Sequence, residues 1–235
     1  MPSAISENLA RVKIRLAEAA SKSGRALEDI RLVVVSKTIP ESEISEAIQA
    51  GAVILGESRV QEARQKIARI GRRKAQWHLI GHLQHNKVKY IFDLFDLVHS
   101  VDSAKLAETI HQAALSRRTV MPVLVQVNVS GEASKFGVPR EGLEETLVCL
   151  SKFDRLRVQG LMTIPPYHPD PEKSRPYFAQ LRELRDRMAR KCIDNISLNE
   201  LSMGMSSDFG VAIEEGATLA RVGTAIFGER PAFAK

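Results

Sequence analysis

Lys37 closes the run Leu32-Val33-Val34-Val35-Ser36-Lys37-Thr38. Three consecutive valines read as a buried strand, so an ammonium at its end stands where an apolar wall gives way to a ligand or to solvent. Burial disfavours a charged amine, and a neutral amine attacks carbonyl carbons to give a Schiff base. The plain alternative is a lysine that reaches water where its strand stops. Late in the chain two segments have the make-up of a phosphate cradle. They are Ser202-Met203-Gly204-Met205-Ser206-Ser207-Asp208 and Arg221-Val222-Gly223-Thr224-Ala225-Ile226. Ser206 or Ser207 can cap a short helix running to Gly216, Gly223 admits close backbone approach, and Thr224 offers a hydroxyl. Taken singly, each is an ordinary glycine loop.

A carbonyl-reactive lysine, a phosphate cradle and an arginine together point to pyridoxal 5′-phosphate. Lys37 would hold its aldehyde carbon as a Schiff base, and the two late loops would hold its phosphate. Arg221 then bears on the chemistry. Arginine stays charged and only donates hydrogen bonds, so beside the pyridine nitrogen it leaves that nitrogen unprotonated. The ring becomes a weaker electron sink, which disfavours demanding carbanion chemistry.

These residues need a scaffold that gathers both ends of the chain. Short β-branched runs at 31–37, 53–58, 77–83, 97–102, 122–129, 157–164, 200–204 and 219–228 alternate with helical patterns. The helical patterns lie near 41–51, 59–71, 86–93, 103–117, 139–153, 172–191 and 206–216. An earlier amphipathic helix near 4–23 carries Ile5, Leu9, Val12 and Leu16, and Gly24 follows as its stop. The alternation predicts an α/β protein: a single (β/α)8 TIM-type barrel with an extra N-terminal helix, in one domain over 1–235. A doubly wound open sheet would show a glycine-rich turn after the first strand, and Ser36-Lys37-Thr38-Ile39-Pro40 has none. Barrel sites form at the carboxyl ends of the strands, with phosphate held after the last two. The prolines of 165–171 predict a stiff loop on the same rim.

The bulk properties narrow the function classes. The 235 residues are 44% hydrophobic and only 5% aromatic, so the core is built on aliphatic side chains. The N-terminal residues lack a signal pattern, and no apolar run approaches the ~20 residues that span a bilayer. A cytoplasmic protein is expected. Cys149 and Cys192, each read within a helical segment, are expected to be buried, inert thiols. The net charge of +6 is dispersed. Arg72-Arg73-Lys74 has no interleaved aromatics, and the basic run from Arg182 to Lys191 carries Glu183 and Asp186 as a solvated helix face would. Nucleic acid is therefore not an expected partner, whereas a small anion suits the field. His78, His82 and His85 cluster in sequence, the first two on one predicted strand, and make no metal-ligand pattern. Glu57 is open to two readings, an acid/base at the rim or a salt bridge to a nearby basic residue.

Six segments, in order, resemble the pyridoxal phosphate homeostasis proteins, whose barrel is like the N-terminal domain of alanine racemases. They are Val35-Ser36-Lys37-Thr38, Gly56-Glu57-Ser58-Arg59-Val60-Gln61-Glu62, Trp77 through Lys87, Gly160-Leu161-Met162-Thr163-Ile164, Leu201 through Phe209, and Arg221 through Gly228. The resemblance implies Lys37 as the cofactor lysine, Arg221 near the pyridine nitrogen, and phosphate contacts from Ser206, Gly223 and Thr224. Ser58 and Met203 complete the candidate contacts. Two departures stand out. Ser58 occupies a position where the family usually has asparagine, which puts a hydrogen bond at the cofactor's edge in question. His85 occupies one where a small hydroxyl residue is common, and should begin a helix.

The resemblance implies a protein that buffers pyridoxal phosphate and delivers it to apo-enzymes as recipients, without robust catalysis, and as a monomer. The alternative is a pyridoxal-phosphate-dependent amino-acid racemase or related lyase. Racemisation needs an acid/base on each face of the substrate. Alanine racemases take the second from a tyrosine on a further domain, which is not expected in a chain ending at Lys235. Of Tyr90, Tyr167 and Tyr177, only Tyr167 could overhang the mouth, and packing among the prolines is its expected role.

Overall fold

Alternating apolar strands that are buried on both faces must be covered on both, and a closed parallel sheet ringed by helices does this without leaving an edge. The computed structural model describes residues 3–132 and 134–229, so the ends of the expected domain lie outside the described residues. Eight strands form the ring: β1 (Arg31–Val35), β2 (Ile54–Glu57), β3 (Gln76–Leu79), β4 (Leu97–Val101), β5 (Met121–Asn128), β7 (Leu156–Met162), β8 (Ile196–Ser202) and β9 (Leu219–Val222). Every pairing is parallel. The ring closes where β4 meets β5, Val98 opposite Val123, and where β9 meets β1, Arg221 opposite Val33. The short β6 (Val138–Pro139) pairs with the end of β5. The fold is the expected (β/α)8 barrel.

The outer layer holds α2 (Glu41–Gln49), α3 (Val60–Ile70), α4 (Ile91–Leu94), α5 (Ala104–Arg117), α6 (Leu143–Leu150), α7 (Arg175–Ala189), α8 (Phe209–Glu214) and α9 (Thr224–Phe227). The added helix α1 (Ala4–Lys22) starts at Ser3, whose hydroxyl accepts from the Ser6 amide, and buries Leu9, Val12 and Leu16 as its spacing predicts. Gly24 follows it at φ 66°. The Asn8 side chain donates to the Ile226 carbonyl, which ties the first helix to the last.

Inside the barrel Val33, Ile54, Leu97, Leu124, Met162 and Leu219 make one apolar cluster. Two residues on, the period of a strand carries Lys37's neighbour Val35, and also His99 and Arg221, along the same inner face. The inner wall thus turns from apolar to polar towards the carboxyl rim.

Several local expectations are corrected. The first strand stops at Val35, so Ser36-Lys37-Thr38 is a turn, with Thr38 at φ 64°. The run 219–228 is a strand only to Val222, after which Gly223 caps α9. A short apolar run fits helix and strand alike, and here the Phe227 amide closes a helical turn onto the Gly223 carbonyl. The expected helix from 206 starts only at Phe209, with Asp208 in the cap position. Strand β3 ends at Leu79, which leaves His82 beyond it rather than in line with His78. Residues 86–93 divide into a tight 3-10 helix, His85–Tyr90, and α4. Cys192 is exposed past the end of α7 and Cys149 is half-buried in α6, so neither is the fully buried thiol expected, and both are unpaired.

Gly160 marks the tightest strand contact: a Cβ there would sit 1.9 Å from the Glu200 carbonyl oxygen of β8. Gly160→Ala must spread β7 from β8 and is expected to cost about 1–3 kcal/mol, the usual scale of overpacking. Urea unfolding followed by circular dichroism would read this as a lower midpoint with unchanged slope.

Candidate functional site

The carboxyl rim opens into a cavity of about 490 Å³ lined by Lys37, Ser58, Arg221, Ser206, Gly223 and Thr224, together with Val35, Ile80, Gly81, Ile164, Tyr167, Met205 and Ser207. Six of the seven candidate contacts therefore share one cavity. The seventh, Met203, is fully buried in the hydrophobic core and does not line it; Met205 does. Volumes of roughly 300–1,000 Å³ suit small-molecule ligands.

Each side chain reaches the cavity for a local reason. The turn after β1 brings Lys37 to the cavity, while the Ser36 hydroxyl donates to Glu57 on the outer side. The Ser58 backbone is packed hard against Gly81, where any Cβ would lie 2.3 Å from the Ser58 oxygen. Gly204, at φ 86°, makes the turn after β8, and its missing side chain leaves room for Ala212. Asp208 holds that loop by accepting from the Met205 amide at 2.7 Å. Ser206 was expected to cap the helix that follows it in sequence. Its hydroxyl oxygen instead accepts from the Gly223 and Ala225 amides, at 3.1 and 3.3 Å, across the two loops. Ser206 thus joins the loop after β8 to the start of α9, where Gly223 and Thr224 line the cavity.

Arg221 lies on the cavity's inner wall, almost wholly buried. It donates to Ser202 Oγ at 2.6 Å and to the Thr163 carbonyl at 2.9 Å. Burial lowers its pKa to about 10, so it remains charged at neutral pH. Ser202 Oγ also meets His99 Nδ1 at 2.8 Å, and His99 Nε2 meets His78 Nδ1 at 3.0 Å. Arginine can only donate, so Ser202 accepts from it. The directions of the Ser202–His99 and His99–His78 contacts follow the tautomers of the two rings. Burial favours the neutral form of both rings, lowering the His78 pKa to about 4 and that of His99 well below the usual imidazole range.

The sequence did not reveal this relay, since Ser202, His99 and His78 meet only across the barrel. Glu57 is resolved in favour of the salt bridge: it is buried outside the barrel wall, 2.9 Å from Lys66 Nζ. His82 faces Asp102 at 3.1 Å and stacks on Phe136. His85 begins its helix as expected and bonds Thr109. Tyr167, expected to pack among prolines, is 77% exposed at the cavity mouth. Among the described residues no group of three His, Cys, Asp or Glu side chains could hold a metal ion, and no helix is long and apolar enough to cross a membrane.

The histidine relay has a pH signature. His78 is neutral when folded, so protons bind the unfolded chain first, from about pH 6.5 downwards. Its stabilising contribution is present above pH 6.5 and is lost as pH falls to about 4, by roughly 3 kcal/mol. A His78→Gln variant is expected to lose less stability than the parent across that window when the two are compared by denaturant melts at each pH.

The alanine racemase N-terminal domain family matches residues 4–231. A pyridoxal phosphate homeostasis protein of Aquifex aeolicus (strain VF5) is 46% identical over 224 residues, covering 95% of this chain and 97% of the relative. The protein of that name from Escherichia coli (strain K12) is 38% identical over 229 residues, covering 96% and 97%. Among solved structures, PipY of Synechococcus elongatus PCC7942 with PLP bound superposes with a TM-score of 0.84 at 35% identity, covering 95% of this chain and all of PipY. An alanine racemase of Clostridium difficile 630 has a TM-score of 0.75 at 14% identity, covering 97% of this chain and 57% of the racemase, a likeness of fold. The chain belongs to the alanine racemase N-terminal domain family and, within it, to the pyridoxal phosphate homeostasis proteins.

Proposed function

We propose that this chain binds pyridoxal 5′-phosphate as cargo and takes part in its homeostasis. The observation that carries the reading is the meeting, in one cavity, of Lys37 with the Ser206–Gly223–Thr224 cradle and Arg221. Lys37 would take the aldehyde carbon: its nitrogen forms the C=N bond and the aldehyde oxygen leaves as water. The cradle would take the phosphate, and Arg221 would donate to the pyridine nitrogen. Ser58 and the apolar Val35 and Ile80 would flank the ring. The relative PipY, solved with PLP bound, supports the choice of ligand. Met203 is proposed to act behind the cradle, by packing under the loop, rather than by contact.

A reversible link with no strong electron sink suits buffering and delivery to apo-enzymes better than turnover. Racemisation needs a second acid/base opposite the lysine. Among the described residues Tyr167 is the phenol that lines this cavity, and it stands largely exposed at the mouth. We further propose a cytoplasmic monomer; the unpaired Cys149 and Cys192 suit a reducing compartment.

The test is an absorption titration of the protein with pyridoxal phosphate. The parent should show a Schiff-base band, and Lys37→Ala should lose it while keeping weak binding through the phosphate cradle. An unchanged band in Lys37→Ala would move the covalent link elsewhere. Assays with D- and L-alanine are expected to give no sustained turnover, and Tyr167→Phe should leave cofactor affinity within about twofold of the parent, as for a surface change.

A further inference from the structure

Lys66 is a buried ammonium that plays no part in the cavity. It belongs to the inner stripe of α3, beside Val60, Ala63 and Ile67. Its three protons find three acceptors: the Ser36 carbonyl at 2.5 Å, Glu57 Oε1 at 2.9 Å and Glu62 Oε1 at 2.6 Å. Glu57 Oε1 also accepts from the Ser36 hydroxyl at 2.7 Å. Glu62 Oε1 also accepts from the Thr38 amide. The cluster therefore grips the residue before Lys37 by its carbonyl and hydroxyl, and the residue after it by its amide.

Thr38 needs such a grip. It sits at φ 64°, in the left-handed region that a β-branched side chain rarely enters. Conformations of this kind persist only where surrounding contacts impose them. A buried ion pair is by itself a poor source of stability, since apolar packing serves as well. Here all of its bonds to the backbone fall on the two residues that flank Lys37.

We propose that Lys66, Glu57 and Glu62 are positioning residues that set the direction of Lys37 into the cavity by clamping the backbone on both sides of it. None of the three lines the cavity. The inference rests on the reading of Lys37 as the covalent anchor, and deepens it: the geometry of the anchor is imposed from the outer, helix-facing side of the barrel wall.

The test compares the parent, Glu62→Ala, and Glu62→Ala combined with Thr38→Gly. Glu62 has 24% of its side chain exposed, so its truncation leaves the barrel packing in place. Bound pyridoxal phosphate is measured by equilibrium dialysis and the covalent fraction by the absorbance of the Schiff-base band. In Glu62→Ala the equilibrium constant for closing the covalent link on already bound cofactor should fall about tenfold, the scale of one charge-assisted hydrogen bond. Cooperative unfolding should persist. Adding Thr38→Gly should restore most of the loss, because glycine adopts a positive φ without strain. Glu62→Gln, which keeps an acceptor oxygen, should fall between parent and Glu62→Ala.

A covalent fraction in Glu62→Ala equal to the parent's overturns the proposal. So does a loss that the glycine fails to restore, or one that follows a collapse of cooperative unfolding, since each makes the cluster a structural element only. Absence of a Lys37-dependent band in the parent would instead refute the function proposed above.

Discussion

Closure of a parallel sheet is the constraint on which the rest of this molecule depends. In a parallel barrel all strands end at one rim, so whatever each carries past its last residue converges there. Lys37 and Thr224 lie near opposite ends of the chain, yet β1 and β9 are hydrogen-bonded neighbours, with Val34 opposite Val222. Neither residue needs long-range attraction to find the other. The β-ladder fixes the distance, and the turn after each strand fixes the direction.

The rim also concentrates buried polarity, which a barrel interior tolerates only when it is satisfied. Two systems of hydrogen bonds answer that demand on either side of the wall behind the cavity. On the inside, Arg221 is held by Ser202 and the Thr163 carbonyl, and Ser202 is linked through His99 to His78. On the outside, Lys66 donates to Glu57 Oε1, Glu62 Oε1 and the Ser36 carbonyl, while Glu57 Oε2 is buried without a hydrogen-bond partner. Short bonds to fixed partners counter part of the desolvation, which still raises the Glu57 pKa and lowers that of Arg221. The arginine is thus held from inside the barrel and the turn that bears Lys37 from outside it.

Much of this was legible beforehand. Three valines, a lysine and alternating helical segments gave a barrel rim with an amine on it, and the serine, glycine and threonine of the last two loops line the same cavity. The errors have local causes. Residues 225–227 are apolar and read equally as strand or helix. Ser206 looked like a cap for the helix that follows it, yet it serves the helix two elements on. Met203 and Met205 alternate in sequence, and only the turn at Gly204 decides that the second faces the cavity. Lys66 left a faint mark, a charge within the apolar stripe of α3, but a stripe cannot name its partners.

The sequence by itself determined the elements, their parallel order and the residue types at each strand end, because hydrophobic period and turn chemistry are local properties. It also carried the family, through motifs that stand in order along nearly the whole chain. Only the tertiary structure decided which polar groups pair across the barrel: Arg221 with Ser202, His99 with His78, Lys66 with the turn that bears Lys37. Those pairings depend on strand register and on the inward or outward sense of each side chain, which are fixed when the sheet closes and which no single segment encodes.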